Sequence, residues 1–126
     1  MKKILITLGA ALALAAQAAS SFPDKPVNII VPFPAGGSTD TVARALALSM
    51  GEQLGKPFVV ENRPGATGTI GAGAVKRAAA DGYTLLVASL GPFVVTPHMV
   101  KNVPYDAGKD FDYITIPVQA PNVLVA

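Results

Sequence analysis

Three apolar runs punctuate the chain, each followed by a stretch of small residues. Val27-Asn28-Ile29-Ile30-Val31 is apolar except for Asn28, the pattern of a strand covered on both faces. Phe58-Val59-Val60-Glu61-Asn62 predicts a second strand, and Tyr83-Thr84-Leu85-Leu86-Val87-Ala88 a third. Pro32 has no N–H for a ladder, so the first strand ends there or frays toward Phe33. Between the runs the period lengthens. Val42, Leu46, Met50 and Leu54 recur every four residues, with Ala43 and Ala47 beside them. That spacing predicts an amphipathic helix over 42–54, with Arg44, Ser49, Glu52 and Gln53 on its other faces. Ser38, Thr39 or Asp40 can cap its start, and Gly55 followed by Lys56-Pro57 ends it. An alanine-rich segment from Ile70 to about Ala80 predicts a second helix, which Gly71 and Gly73 weaken and allow to pack close to a sheet. Asp81-Gly82 makes the return turn.

Strand, helix, strand, helix, strand predicts an α/β fold with a parallel sheet and right-handed crossovers. Ligands of such sheets bind beyond the carboxyl ends of the strands. All three special loops fall there: Pro32 to Asp40, Arg63 to Gly71, and Ser89-Leu90-Gly91-Pro92. Glycine allows a sharp turn and close approach of a ligand, and a helix start offers unpaired N–H groups to an anion. The chemistry implied is a cradle for a carboxylate or phosphate. Asp40 is ambiguous within it. A carboxylate in the first turn suits the helix dipole by roughly 0.3–1 kcal/mol, yet it competes with an anionic ligand for the same N–H groups. It is read as a cap or loop organiser ahead of a direct ligand contact.

Beyond the third loop the pattern is less regular. Pro97 to Lys101 predicts one helical turn, and Lys109 to Asp112 a polar connection. Tyr113-Ile114-Thr115-Ile116 is a fourth strand candidate that Pro117 shortens or confines to an edge. Asn122 to Ala126 reads as a fifth strand, inside which the sequence stops, so a longer parent sequence is expected.

The N-terminus changes the charge picture. Lys2 and Lys3 precede the apolar run Ile4–Ala16, which is short for a membrane span, and Ala16-Gln17-Ala18 fits a cleavage site. Residues 1–18 are therefore expected to be a secretory signal peptide, and the mature protein to be exported. That segment holds two of the ten basic residues and none of the eight acidic ones, leaving a balanced mature chain. The balance removes any basic patch from which to expect nucleic acid. No cysteine is present, and His98 is the single histidine, so no thiolate or histidine metal centre is expected. No cofactor is expected either.

Rival classes leave distinct signatures. A nucleotide- or dinucleotide-binding enzyme domain would also place an acidic residue at the end of its second strand, where Glu61 stands. However, Gly36-Gly37 is not G-x-G-x-x-G, and Gly65-x-x-Gly68-x-x-Gly71 follows the second strand rather than the first. A serine hydrolase needs a nucleophile elbow, which neither Ser38 nor Ser89 has. His98, near the short helix, reads as a surface residue rather than a base. A purely structural α/β domain explains the packing but not three glycine-bearing loops on one rim.

Five motifs in order carry a family resemblance. They are Pro32 through Arg44, Val60-Glu61-Asn62-Arg63-Pro64-Gly65-Ala66, Ala80-Asp81-Gly82-Tyr83-Thr84-Leu85-Leu86, Val103-Pro104-Tyr105-Asp106 with Lys109-Asp110-Phe111, and Pro121-Asn122-Val123-Leu124-Val125. Together they resemble the N-terminal portion of the Bug-type (TctC-like) solute-binding proteins of tripartite tricarboxylate transporters. The resemblance implies a hinged, two-domain periplasmic receptor, not an enzyme, that closes on a small carboxylate. Di- and tricarboxylates and acidic amino acids are the implied ligand classes. The implied partners are membrane transporter subunits, and the full-length receptor is expected to be a monomer. By position, Ala35, Gly36, Gly37, Ser38, Thr39 and Asp40 would form the first wall of the site. Gly65, Ala66, Thr67, Gly68 and Thr69 would form the second, and Ser89 with Gly91 the third. Family members often carry Gly-Gly-Asn where this chain has Thr67-Gly68-Thr69. Residues 19–112 would make a partial first domain and 113–126 strands crossing toward a second, with the opposing wall of the cleft outside this sequence.

Overall fold

A computed structural model describes residues 22–119. The expected signal peptide and the strand expected at 122–126 lie outside the described residues. Strand β1 (Val27–Val31) lies in the middle of a parallel sheet, between β2 (Phe58–Asn62) and β3 (Thr84–Leu86). The register runs from Val27 opposite Phe58 to Val31 opposite Asn62, and from Asn28 opposite Thr84 to Ile30 opposite Leu86. Val27, Ile29 and Val31 are wholly buried. The double-covered pattern belongs to this central strand; β2 alternates half-buried and exposed positions, as a strand with one face toward solvent does. β3 is a shorter ladder than expected, although hydrogen bonds from Asn28 to Tyr83 and from Val87 to Ile30 extend its contact with β1.

Helix α1 (Ser38–Leu54) begins earlier than its apolar period suggests. Its buried apolar face is Ala43 and Ala47, which pack on Ile29 and Val31, while Val42, Leu46 and Met50 are only half-buried and Leu54 is exposed. Two methyl-sized side chains let the helix axis approach the sheet, so the larger residues flank that contact. Gly55 ends the helix in the left-handed conformation, its N–H bonded to the Gly51 carbonyl at 3.0 Å.

Helix α2 (Thr69–Lys76) is about one turn shorter than expected. Its close packing is real: a methyl group on Gly71 would lie 2.8 Å from Pro32 Cβ and 2.9 Å from the Arg63 carbonyl oxygen. The third loop departs most from expectation. Gly91–Val95 forms a wide helical turn that runs directly into α3 (Thr96–Met99). Pro92 belongs to that first turn, where a missing N–H costs nothing. Tyr113–Ile116 forms no strand. Pro117 follows it, and Ile114 and Ile116, 80% and 68% exposed, have no layer to pack on among the described residues.

Candidate ligand-binding site

Parallel pairing places Val31, Asn62 and Leu86 at one end of the sheet, so the three loops leave from the same rim. Their bases touch through small residues. Gly68 is buried, and a methyl group there would lie 2.6 Å from Pro92 Cγ and 3.5 Å from Pro32 Cβ. Glycine at this position therefore brings loops one, two and three together. Gly68, expected in the second wall of the site, thus also packs the bases of the three loops together.

The first loop is built around Asp40. The residue is only 3% exposed, although it lies in the first turn of α1. The carboxylate turns back into the loop instead of capping the helix. Oδ2 accepts the Gly36 N–H at 2.8 Å and the Arg44 Nε–H at 3.0 Å, and Oδ1 accepts Asn62 Nδ2 at 2.9 Å. Asn62 also donates to the Phe33 carbonyl at 3.1 Å and accepts from the Arg44 guanidinium at 3.1 Å. The Arg44 donor first, then the Gly36 N–H and the Asn62 amide, hold the Asp40 carboxyl down at about 2, so it is charged at neutral pH. Gly37, not Ser38, Thr39 or Asp40, occupies the cap position, with no side-chain capping bond. The first amide bonded within this turn is Thr41, to the Gly37 carbonyl at 2.9 Å. The N–H groups of Ser38, Thr39 and Asp40 precede it at the positive end of the helix. Ala35, Gly36, Gly37 and Ser38 are exposed and Thr39 is half-exposed.

The second loop holds an unusual backbone. Gly65, Ala66, Thr67 and Gly68 all have positive φ, at 126°, 46°, 54° and 91°. For Thr67 this is a strained conformation, since its branched Cβ crowds the following carbonyl. Threonine thus stands where glycine would be relaxed. Thr67 is exposed at the rim, while Thr69 is buried with its hydroxyl bonded to the Ala66 carbonyl at 2.9 Å. In the third loop Ser89 is exposed and Gly91 half-exposed. Below it the Tyr105 hydroxyl, buried, donates to the Pro92 carbonyl at 2.6 Å and ties this loop to the connection that follows.

Sequence reasoning missed Asn62, Arg44 and Tyr105 as parts of the rim. An Asn at the last position of a strand, beside two glycine-bearing loops, was the signal available for the first. Glu61, the acidic residue that a dinucleotide site would use, is exposed and paired with Arg63 at 2.7 Å. An open groove also runs between α1 and β2, lined by residues that include Leu48, Glu52, Lys56 and Phe58. It lies on the flank of the sheet and shares only Arg44 with the rim network.

Comparison with known proteins decides the family. The profile of the tripartite tricarboxylate transporter family receptors (TctC) matches residues 42–126. The chain belongs to that family. It is 42% identical to protein BugT of Bordetella pertussis over 130 aligned positions, covering 99% of this chain and 40% of BugT. The fold is similar to that of the periplasmic binding protein BugD, with a TM-score of 0.65 and 47% identity over 71% of this chain and 30% of BugD. It is also similar to MatC from Rhodopseudomonas palustris with bound malate, with a TM-score of 0.68 and 43% identity over 71% of this chain and 31% of MatC. The chain thus spans well under half the length of these relatives. The family is one of receptors, and the α/β parallel sheet is that of its periplasmic binding proteins.

Proposed function

We propose that this chain supplies one wall of the carboxylate site of an exported receptor, which delivers its ligand to a tripartite tricarboxylate-type transporter. The observation that carries this reading is the free first turn of α1. Asp40, the one acid within it, is turned away and paired, leaving the N–H groups of Ser38 and Thr39 at the rim. Malate bound to MatC supports a small dicarboxylate as ligand. Residues 1–18 fit the export route, and no cofactor is called for.

Magnitudes limit what one wall can do. Micromolar affinity needs about −8 kcal/mol. A helix end contributes at most ~2 kcal/mol to an anion, and each charge-assisted hydrogen bond ~1.5–3 kcal/mol. Several kcal/mol of lost ligand freedom must be offset first. The chain is therefore expected to bind a dicarboxylate at millimolar strength or weaker. Thermal-shift measurements against concentrated malate, citrate and NAD test the reading. Stabilisation by the carboxylates and none by NAD is expected. Stabilisation by NAD alone would instead establish the dinucleotide-binding alternative, and micromolar malate affinity would refute the single-wall estimate.

A further inference from the structure

The network beneath the first loop has a consequence for charge. Asp40 is an anion buried in the first turn of the helix whose amides face the proposed ligand. Left to itself, a carboxylate at that position either folds onto the free N–H groups as a cap or repels an arriving anion. Here it does not cap the helix, because three donors hold it elsewhere. Arg44 is one turn further along α1 and reaches both Asp40 (Nε–H, 3.0 Å) and the Asn62 side chain (3.1 Å). Asn62 ends β2 and spans Asp40 and the Phe33 carbonyl, joining strand, loop and helix. The guanidinium is half-exposed, so it is held by this fork rather than by burial.

We propose that Arg44 and Asn62 are positioning residues for the anion site. Arg44 neutralises Asp40, Asn62 fixes its rotamer, and together they keep the first-turn amides of α1 vacant and free of negative charge for a ligand carboxylate. The proposal rests on the receptor reading given above. It assigns Arg44 an indirect role: its charge serves the acid beneath the loop and not the ligand itself. Lysine cannot reproduce that role in full, since a single ammonium lacks the planar fork that reaches two acceptors at fixed angles.

Two readouts on the full chain separate the possibilities. Hydrogen exchange at the Gly36 amide, without ligand, reports the clamp, and NMR titration with malate reports the site. Arg44→Gln leaves the Asp40 charge uncompensated. It should weaken malate roughly three- to fifteen-fold, the order expected of one uncompensated charge near the ligand with and without salt screening. Adding Asp40→Asn to Arg44→Gln should restore most of that loss, because it removes the repelling charge. A purely structural role predicts the opposite, a further loss from breaking the network twice. Arg44→Lys should retain most of the affinity while speeding exchange at Gly36, and it keeps the test open if Arg44→Gln fails to fold. Asn62→Asp, which places a second acid beside Asp40, should both speed exchange and weaken malate.

Wild-type affinity in Arg44→Gln, or no recovery in the double variant, would overturn the positioning role while leaving the receptor reading intact. Absence of malate binding to the wild-type chain, with exchange at Gly36 responding as expected, would overturn the receptor reading and the positioning role with it.

Discussion

Gly71 offers a sharp test of how the rim is assembled. In an exposed helix, glycine to alanine stabilises by about 1 kcal/mol, because alanine has less backbone entropy to lose. At Gly71 the added methyl would sit 2.8 Å from Pro32 Cβ, 2.9 Å from Pro32 Cα and 2.9 Å from the Arg63 carbonyl. These are backbone or ring atoms that cannot swing aside. Overpacking of that kind costs up to ~3 kcal/mol, so Gly71→Ala should destabilise by about 2 kcal/mol net. For a domain of this size the melting temperature should fall by roughly 8–16 °C. Gly51→Ala is the matched control in α1, where the new methyl meets only the Lys56 carbonyl, at an ordinary 3.5 Å. It should raise the melting temperature by about 4 °C. Paired thermal melts followed by circular dichroism measure both. Equal or higher stability in Gly71→Ala would show that α2 does not rest on Pro32, and the joined bases of loops one and two would have to be abandoned.

Further expectations concern single residues. Thr67→Gly should stabilise the fold by about 0.5–1 kcal/mol, relief of left-handed strain outweighing the entropy of the added glycine; a loss in chemical denaturation would mean that the threonine side chain makes a stabilising contact. Tyr105→Phe should cost about 1–2 kcal/mol by leaving the Pro92 carbonyl without its donor, and an unchanged denaturation midpoint would argue against that bond. The Asp40 network sets a pH signature. Its carboxyl is lowered from an ordinary 3.8 to about 2, so the folded state binds fewer protons than the unfolded one. Its contribution is complete above the ordinary value and is lost as pH falls from about 4 to about 2. The stability difference between wild type and Asp40→Asn should therefore narrow across that window, and a constant difference would contradict the pairing.

The fold was legible because its signals are local and redundant. Continuous apolar runs marked the strands, and Gly55 and the Lys56-Pro57 pair marked a helix end. What escaped was set by contacts distant in sequence. The start of α1 depends on Asp40 meeting Gly36 and on Asn62, which lies 22 positions from Asp40 in the chain. Apolar period alone therefore placed the helix start too late. The helical turn at Gly91–Val95 was hidden because Pro92 reads as a loop residue until its place in a first turn is seen. The fourth strand failed for the converse reason: Tyr113–Ile116 has the right residues, but a strand exists only where a ladder accepts it. The gathering of three loops on one rim was legible, since parallel order alone puts them there. The division of labour within it was not. Close packing at Gly71 was legible from a glycine in an alanine-rich helix, whereas the contact of Gly68 with Pro32 and Pro92 shows only in their distances.

Binding at the rim is tested most directly by an NMR titration of the isotopically labelled chain with malate, reading each backbone amide. Saturable shifts centred on Ser38 and Thr39, extending to Thr67, Thr69 and Ser89 and yielding a millimolar or weaker constant, are the predicted result. No shifts at the first turn of α1, or shifts confined to the flank groove around Leu48 and Phe58, would contradict the assignment of the carboxylate site to this rim.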